Sequence, residues 1–309
     1  MPDKPAVLIV PRQLGVLTPM LESLAEVHRL WEGPQADTAA TIRALVVLGE
    51  QELDRKLVES LPNLGLIACF TAGYDGIDVA WARGRGLQVS HAPAVNHEDV
   101  ADHALGLLLA HRRGIVAGDR QVREGGWDPN ARTISQSVGG ARVGIVGLGA
   151  IGQAIARRCE AFGMRVSWWG PNPKPDATWP RAASLLELAR ASDVLIVACR
   201  ADETNRGLIS DEVIAALGPS GLLINVARGK LVDEDALIAA LKAGRLGGAA
   251  LDVFEDEPTP AARWRDVPNT VLTPHAGGAT TGAVQGMVGL LLKNLAAYFE
   301  TGRPATPAP

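Results

Sequence analysis

The sequence predicts an α/β protein built from two doubly wound parallel sheets. Three observations carry that expectation. Apolar runs of strand length alternate with helical stretches in βαβα order, which calls for parallel strands covered by helices on both faces. The alternation restarts once, after a long helical stretch near the middle of the chain. A length of 309 residues, at about 150 per domain, suggests two domains.

In the first cycle, Ala6–Val10 is a short buried run ended by Pro11. Leu17, Leu21, Leu24, Val27 and Leu30 have helical spacing, so a helix is expected from Leu17 to Trp31. Ala44–Leu48 and Leu64–Phe70 read as strands flanking a helical stretch that begins at Glu50. The second cycle opens with strand Ala141–Val146 and a helix from Ala150 to Phe162, where Ile151, Ile155, Cys159 and Phe162 share a face. Strands at Met164–Trp169, Val194–Ala198, Leu222–Val226, Gly248–Val253 and Thr270–Thr273 continue it. Long helices at about Glu98–Arg113 and Thr281–Glu300 bracket this cycle, the last returning the chain to the first domain. The tail Thr301–Pro309, rich in proline, is expected to be disordered. No repeat of solenoid period is present.

Composition mainly excludes. With 47% hydrophobic and 21% charged residues the chain is globular. Its net charge of −4 and lack of a Lys/Arg block offer no footprint for nucleic acid. No uncharged apolar run approaches the ~18 residues that cross a bilayer, and the apolar run of five near the N-terminus is too short for a signal core. Cys69, Cys159 and Cys199 lack C-x-x-C spacing and read as reduced, buried thiols. The expected location is therefore cytoplasmic, with no membrane partner.

Glycine is the compositional outlier: 34 of 309 is about 11%, against about 7% in average proteins. Gly139, Gly140, Gly144, Gly147, Gly149 and Gly152 fall within fourteen residues. Gly147-Leu-Gly149-Ala-Ile-Gly152 follows a strand and opens a helix, the context in which G-x-G-x-x-G marks a dinucleotide site. Gly147 permits the tight turn, Gly149 the approach of a pyrophosphate, and Gly152 close helix–strand packing. The helix N-terminus turns its N–H groups toward the phosphates. About 20 residues on, an acid would bind the ribose 2′-OH of NAD. Here Trp168-Trp-Gly-Pro-Asn-Pro-Lys174 holds none, and Gly170 takes its place. Asn172 and Lys174 are available to a 2′-phosphate instead, so NADP is the expected cofactor, with NAD possible.

Three charged residues stand at strand ends of the second cycle: Arg228, Glu257 and His275. Hydride transfer to or from a C–OH carbon also requires proton transfer, which suits histidine. A carboxylate beside it favours imidazolium and fixes the ring, and arginine holds a carboxylate or polarises a carbonyl through its planar fork. Singly each has a bland explanation; together, at the strand ends of one nucleotide domain, they favour function.

With these residues in place, the chain resembles the D-isomer-specific 2-hydroxyacid dehydrogenases, and within them the glyoxylate/hydroxypyruvate reductases. The resemblance runs from about Ala44 to Tyr298. It rests on Thr71–Asp78, Glu98–Gly106, Val143–Gly152, Asn225–Val232, Gly248–Pro258 and Pro274–Thr280. It implies a flavodoxin-like substrate domain over 1–97 and 282–309 and a Rossmann-type cofactor domain over 98–281. It also implies that His275 is the acid/base with Glu257 as its partner. Arg228 binds the substrate carboxylate and carbonyl, and the Ala72 and Gly73 amides clamp the same carboxylate. Gly149, Ala150 and Ile151 meet the pyrophosphate, and Asp252 lies near the nicotinamide carboxamide. Arg200, Val226, Gly277 and Gly278 lie along the cofactor cleft.

The implied reaction is NAD(P)H-dependent reduction of a small 2-oxo acid such as glyoxylate or hydroxypyruvate to the D-2-hydroxy acid, by a homodimer. Glu257 argues against the formate dehydrogenase branch, which carries glutamine there. The competing class is a non-catalytic NAD(H)-sensing corepressor of the same fold. Two departures stand out: Pro171 replaces the basic residue frequent in NADP-preferring relatives, and Tyr74 replaces an aliphatic after the carboxylate clamp. Trp127 falls in the segment that crosses the dimer interface in relatives, where reaching the partner's site and simple packing remain alternatives. His91, His97, His103 and His111 cluster with Glu98, Asp99 and Asp102, but His97 and His103 are six apart, not the four that place two ligands on one helical face, so no metal is expected.

Overall fold

The computed structural model describes residues 4–33, 38–131, 134–202 and 204–309. In chain order the elements begin β1 (Ala6–Ile9), α1 (Thr18–Leu21), β2 (Glu26–Arg29), β3 (Ile42–Val47), α2 (Arg55–Glu59), β4 (Leu66–Cys69), α3 (Val79–Gly84) and β5 (Gln88–Ser90). There follow α4 (His97–Arg112), α5 (Ile115–Arg123), β6 (Arg142–Val146), α6 (Ala150–Ala161), β7 (Arg165–Trp169), α7 (Leu185–Arg190) and β8 (Val194–Val197). The chain continues through α8 (Asp211–Leu217), β9 (Leu222–Asn225), α9 (Glu234–Lys242), β10 (Gly248–Leu251), α10 (Ala261–Trp264) and β11 (Thr270–Leu272), and closes with α11 (Thr281–Thr301). Two compact units result, one of Met1–Asn96 with Thr281–Pro309 and one of His97–Thr280.

The first unit holds a five-stranded parallel sheet in the order β2-β1-β3-β4-β5, the flavodoxin-like order. Alternate residues of its strands feed two cores. Val7, Ile9, Val46 and Leu66 pack with α11, which contributes Ala283, Met287, Leu291, Leu295 and Tyr298 at i, i+4 and i+3 steps. Leu8, Leu45, Val47 and Ile67 pack on the other face with Val58, Ile77 and Ala82. The second unit holds a six-stranded parallel sheet in the order β11-β10-β9-β8-β6-β7. An isolated parallel bridge joins Trp168 to Arg181 beyond β7. That segment occupies the place of a third strand, completing the 3-2-1-4-5-6 sequence of a doubly wound nucleotide sheet, with β11 added as a seventh at the far edge. Helices α4 and α6 cover one face, through Ala104, Leu105, Leu108, Ala154, Ile155 and Cys159. Helices α7, α8 and α9 cover the other.

Two expectations fail. The helix from Leu17 to Trp31 is instead a 3-10 turn at Arg12–Leu17, the four-residue α1 and the edge strand β2. The open edge of β1 takes up Glu26–Arg29 in parallel register, Ala6 opposite Glu26 and Ile9 opposite Arg29. Ladder hydrogen bonds to β1 outweigh the local helical spacing, and Val27 still reaches the core. The tail is ordered: Asn294, buried on α11, accepts from the Thr306 N–H (2.7 Å) and donates to Thr306 Oγ1 (2.8 Å). The Ala308 N–H donates to Val89 O (2.8 Å), and Ala308 is buried. The helical stretch from Glu50 also shortens to α2, which Asp54 caps by accepting from the Lys56 N–H.

The three cysteines are unpaired. Burial pushes the Cys69 and Cys159 thiols up to about 12 and Cys199 up to about 11, so they stay protonated and unreactive. Among the described residues no helix is long and apolar enough to cross a membrane.

Candidate active site

The glycine turn of the second unit leaves β6 at its C-terminal end, between strands whose connections run in opposite directions, where doubly wound sheets bind ligands. Gly147 has φ +94°, and a Cβ there would lie 2.6 Å from the Cys199 backbone. A Cβ on Gly152 would lie 2.1 Å from Gly147 O, so α6 packs against the turn at backbone distance. Nothing lies within 4 Å of a Cβ built on Gly149. The open side of the turn is therefore at Gly149, where the first N–H groups of α6, those of Ala150, Ile151 and Gly152, have no intrahelical acceptor. This arrangement fits a pyrophosphate.

The catalytic candidates leave β9, β10 and β11, three neighbours in the same sheet. At the end of β9, the buried Asn225 folds the chain into a turn: its Oδ1 accepts from the Ala227 N–H (3.0 Å) and its Nδ2 donates to Arg228 O (2.9 Å). Arg228 Nη1 donates to Ala227 O (2.7 Å). The next residue, Gly229, meets the loop after β10 backbone to backbone, since a Cβ there would lie 1.8 Å from the Phe254 carbonyl carbon. That loop carries Glu257. Its Oε1 accepts from the Phe254 N–H (2.9 Å) and its Oε2 lies 2.6 Å from His275 Nδ1. Burial raises the Glu257 pKa, but hydrogen bonds from His275 and the Phe254 N–H, with the charges of His275 and Arg228, hold it below the usual carboxylate range.

His275 adopts a left-handed backbone, φ +52°, uncommon for a side chain with a Cβ. Asp252, 2% exposed, holds that turn in place. Its carbonyl accepts from the His275 N–H (2.8 Å), and its carboxylate accepts from the N–H groups of Ala276 (2.8 Å) and Gly277 (2.9 Å) and from Thr273 Oγ1 (2.6 Å). His103 Nε2 is 3.2 Å from the same carboxylate and 2.9 Å from Thr273 Oγ1. Burial raises the Asp252 pKa, yet these donors more than offset it and pull the group down to about 2.

The structure thus brings Arg228, Glu257, His275 and Asp252 together. Ala72 and Gly73 lie in the other unit, on the turn after β4. Thr71 Oγ1 accepts from the Gly49 N–H (2.9 Å) and donates to Gly73 O (3.0 Å), while Ala72 O accepts from His91 Nδ1 (3.0 Å). The Ala72 and Gly73 N–H groups donate to no acceptor among the described residues. Tyr74 is 9% exposed and turns inward, edge-on to His91 at 4.8 Å. Elsewhere in the second unit, Val226 is buried, Arg200 O accepts from Asn205 Nδ2 (2.8 Å), and Asn172 and Lys174 are exposed.

Two supporting residues escape the sequence. Glu234, 3% exposed at the first position of α9, accepts from the Glu255 N–H (2.5 Å) and from Arg263 Nε (2.9 Å), anchoring the loop that bears Glu257. His103 supports Asp252 from α4. An acid in a first helical turn reads as ordinary dipole compensation, and no spacing discloses either contact. His97 pairs with Glu98, and His111 meets Asn269 O, so the clustered histidines serve separate contacts.

The family model for the NAD-binding domain of D-isomer specific 2-hydroxyacid dehydrogenases matches residues 105–277. The chain belongs to this family. As a D-isomer-specific 2-hydroxyacid dehydrogenase it is an oxidoreductase of CH–OH groups that uses a nicotinamide cofactor. It is 40% identical over 292 residues to a glyoxylate/hydroxypyruvate reductase A of Arabidopsis thaliana, covering 93% of each chain. It is also 40% identical to a hydroxyphenylpyruvate reductase of Plectranthus scutellarioides, covering 92% of each. Among solved structures it resembles an NADPH-dependent glyoxylate/hydroxypyruvate reductase of Sinorhizobium meliloti, in complex with NADP and malonate. That likeness has a TM-score of 0.93 at 36% identity and covers 99% of this chain and 97% of the other.

Proposed function

We propose that this dehydrogenase reduces a small 2-oxo acid, glyoxylate or hydroxypyruvate, to the D-2-hydroxy acid, with NADP(H) preferred over NAD(H). The observation that carries this is the 2.6 Å Glu257–His275 pair beside Arg228, on adjacent strand ends of the sheet that bears the glycine turn. A bound nicotinamide cofactor supplies the hydride. Gly147, Gly149, Ala150, Ile151 and Gly152 hold its pyrophosphate, and Arg200, Val226, Asp252, Gly277 and Gly278 line its cleft. Asn172 and Lys174 face the 2′-phosphate. The unit of residues 98–281 is its domain, and 1–97 with 282–309 form the substrate domain.

Arg228 fixes the substrate carboxylate and polarises the carbonyl through its planar fork. The Ala72 and Gly73 amides supply a second set of donors for the carboxylate. With Nδ1 committed to Glu257, proton transfer to the carbonyl oxygen falls to His275 Nε2. Imidazolium and guanidinium together stabilise the developing alkoxide, which leaves no step that requires a metal.

Steady-state oxidation of NADPH and NADH with glyoxylate, hydroxypyruvate, pyruvate and phenyl-substituted 2-oxo acids tests this proposal. The highest kcat/KM is expected for the first two acids with NADPH. Preference for a bulky acid would move the substrate toward that of the Plectranthus relative, and no turnover with any acid would return the protein to the NAD(H)-sensing class.

We further propose a homodimer formed through α5 and the segment after it. Helix α5 buries none of its residues, and Ile115, Val116 and Val122 are exposed with Trp127 (71%) and Ile134 (94%). Such an unpaired apolar surface fits a second copy of the chain. Sedimentation equilibrium is expected to give twice the chain mass, and Trp127→Glu to shift it toward one. A wild-type monomer at micromolar concentration would contradict the dimer.

A further inference from the structure

The strand end that usually decides between NAD and NADP lacks an acid, and its loop contributes one cation, the exposed Lys174. The fold brings a second cation to the same place. Arg181 lies eleven positions beyond Gly170, yet the bridge to Trp168 folds its segment back along β7: the Trp168 N–H donates to Pro180 O (3.0 Å) and the Ala182 N–H to Trp168 O (2.8 Å). Arg181 Nη2 donates to Gly170 O at 2.7 Å and reaches Pro171 O at 3.4 Å. Its guanidinium carbon stands 5.7 Å from the centre of the Trp168 ring, within cation–π range. That ring is itself fixed by the Trp168 Nε1–H to Trp179 O bond (3.0 Å).

These contacts immobilise the arginine with one terminal nitrogen and leave its charge uncompensated, because Arg181 pairs with no carboxylate among the described residues. The carbonyl of Gly170 is an acceptor without net charge. A guanidinium held in place at a ribose-selecting strand end, with donors to spare and no counter-ion, suits a dianionic phosphate monoester.

We propose that Arg181 is the residue that selects NADP, by binding the 2′-phosphate with Lys174 as a weaker auxiliary. The proposal rests on the NADP preference stated above. Arginine fixed through the third-strand bridge replaces the loop cation that Pro171 lacks.

The test is calorimetric titration of 2′,5′-ADP and of 5′-AMP into the wild-type protein and into Arg181→Gln, Arg181→Lys and Lys174→Ala. The first probe carries the 2′-phosphate and the second does not. Wild type is expected to bind 2′,5′-ADP at least about tenfold more tightly than 5′-AMP, the range of one charged hydrogen-bonded contact. Arg181→Gln should lose that margin while binding 5′-AMP as before, which also reports an intact fold. Arg181→Lys should retain part of it, and Lys174→Ala most of it. KM for NADPH should rise in Arg181→Gln with KM for NADH unchanged. Full discrimination in Arg181→Gln would overturn the assignment of Arg181 and leave the NADP preference standing. Absence of discrimination in the wild type would overturn the NADP preference and the assignment with it.

Discussion

His275→Ala is expected to lower kcat for 2-oxo acid reduction by about 10²–10⁴-fold, the contribution of a positioned general acid. Cofactor affinity should stay unchanged, since the imidazole Nδ1 is committed to Glu257 on the loop after β10, while the glycine turn follows β6. The backbone should also stay in place. The turn is held by the Asp252 carbonyl and carboxylate through the N–H groups of residues 275, 276 and 277, none of which the substitution removes. Alanine is further expected to leave KM for the acid nearly intact, because the carboxylate is assigned to Arg228. Rapid-mixing turnover with glyoxylate, alongside fluorescence titration of NADPH, separates the two quantities. A turnover within a factor of about two of wild type would remove His275 from the chemistry, being far below the range for acid/base loss.

How much of this site the sequence discloses depends on the range of the interactions. Buried parallel strands write themselves as local apolar runs, so β6 to β11 stand close to where the pattern puts them. The glycine turn is legible for the same reason: strand, turn and helix are contiguous, and the steric demands on Gly147 and Gly152 come from within or beside that segment. Arg228, Glu257 and His275 are legible as charged residues at strand ends, although the pairing of the last two is a fact of the sheet order.

What stays hidden is long range. β2 forms because β1 offers an open edge, and the helical spacing ahead of it is a coincidence of Leu17 and Leu21 packing from a 3-10 turn and a short helix. The tail is ordered by Asn294 and Val89, over 200 positions from Val89 in the chain, contacts that a proline-rich stretch does not announce. Glu234, His103 and Arg181 act through partners 21 to 170 positions away, or through one irregular bridge, where no periodicity operates.

The second large effect is expected from Glu257→Gln. Glutamine keeps the size and the hydrogen-bonding capacity toward the Phe254 N–H but removes the negative charge beside His275. The sign follows from the pair. Glu257 is held below its ordinary value of 4.5, so it is ionised throughout the neutral range and favours the imidazolium form. Loss of that charge disfavours imidazolium, so the proton is released at lower pH, and less of the enzyme carries it at neutrality. Turnover near pH 7 should fall, by less than the about 10²–10⁴-fold lost with the imidazole itself.

The most direct measurement of the central claim, that His275 charged by Glu257 donates the proton, is the pH profile of kcat/KM for 2-oxo acid reduction in wild type and Glu257→Gln. Wild type should hold its rate on the acid side down to the titration of Glu257, below 4.5, and lose it on the alkaline side as the imidazolium deprotonates. In Glu257→Gln the alkaline fall should move to lower pH, since the charge that favours imidazolium is gone. Profiles that superimpose, or a wild-type rate with no alkaline fall, would contradict the account.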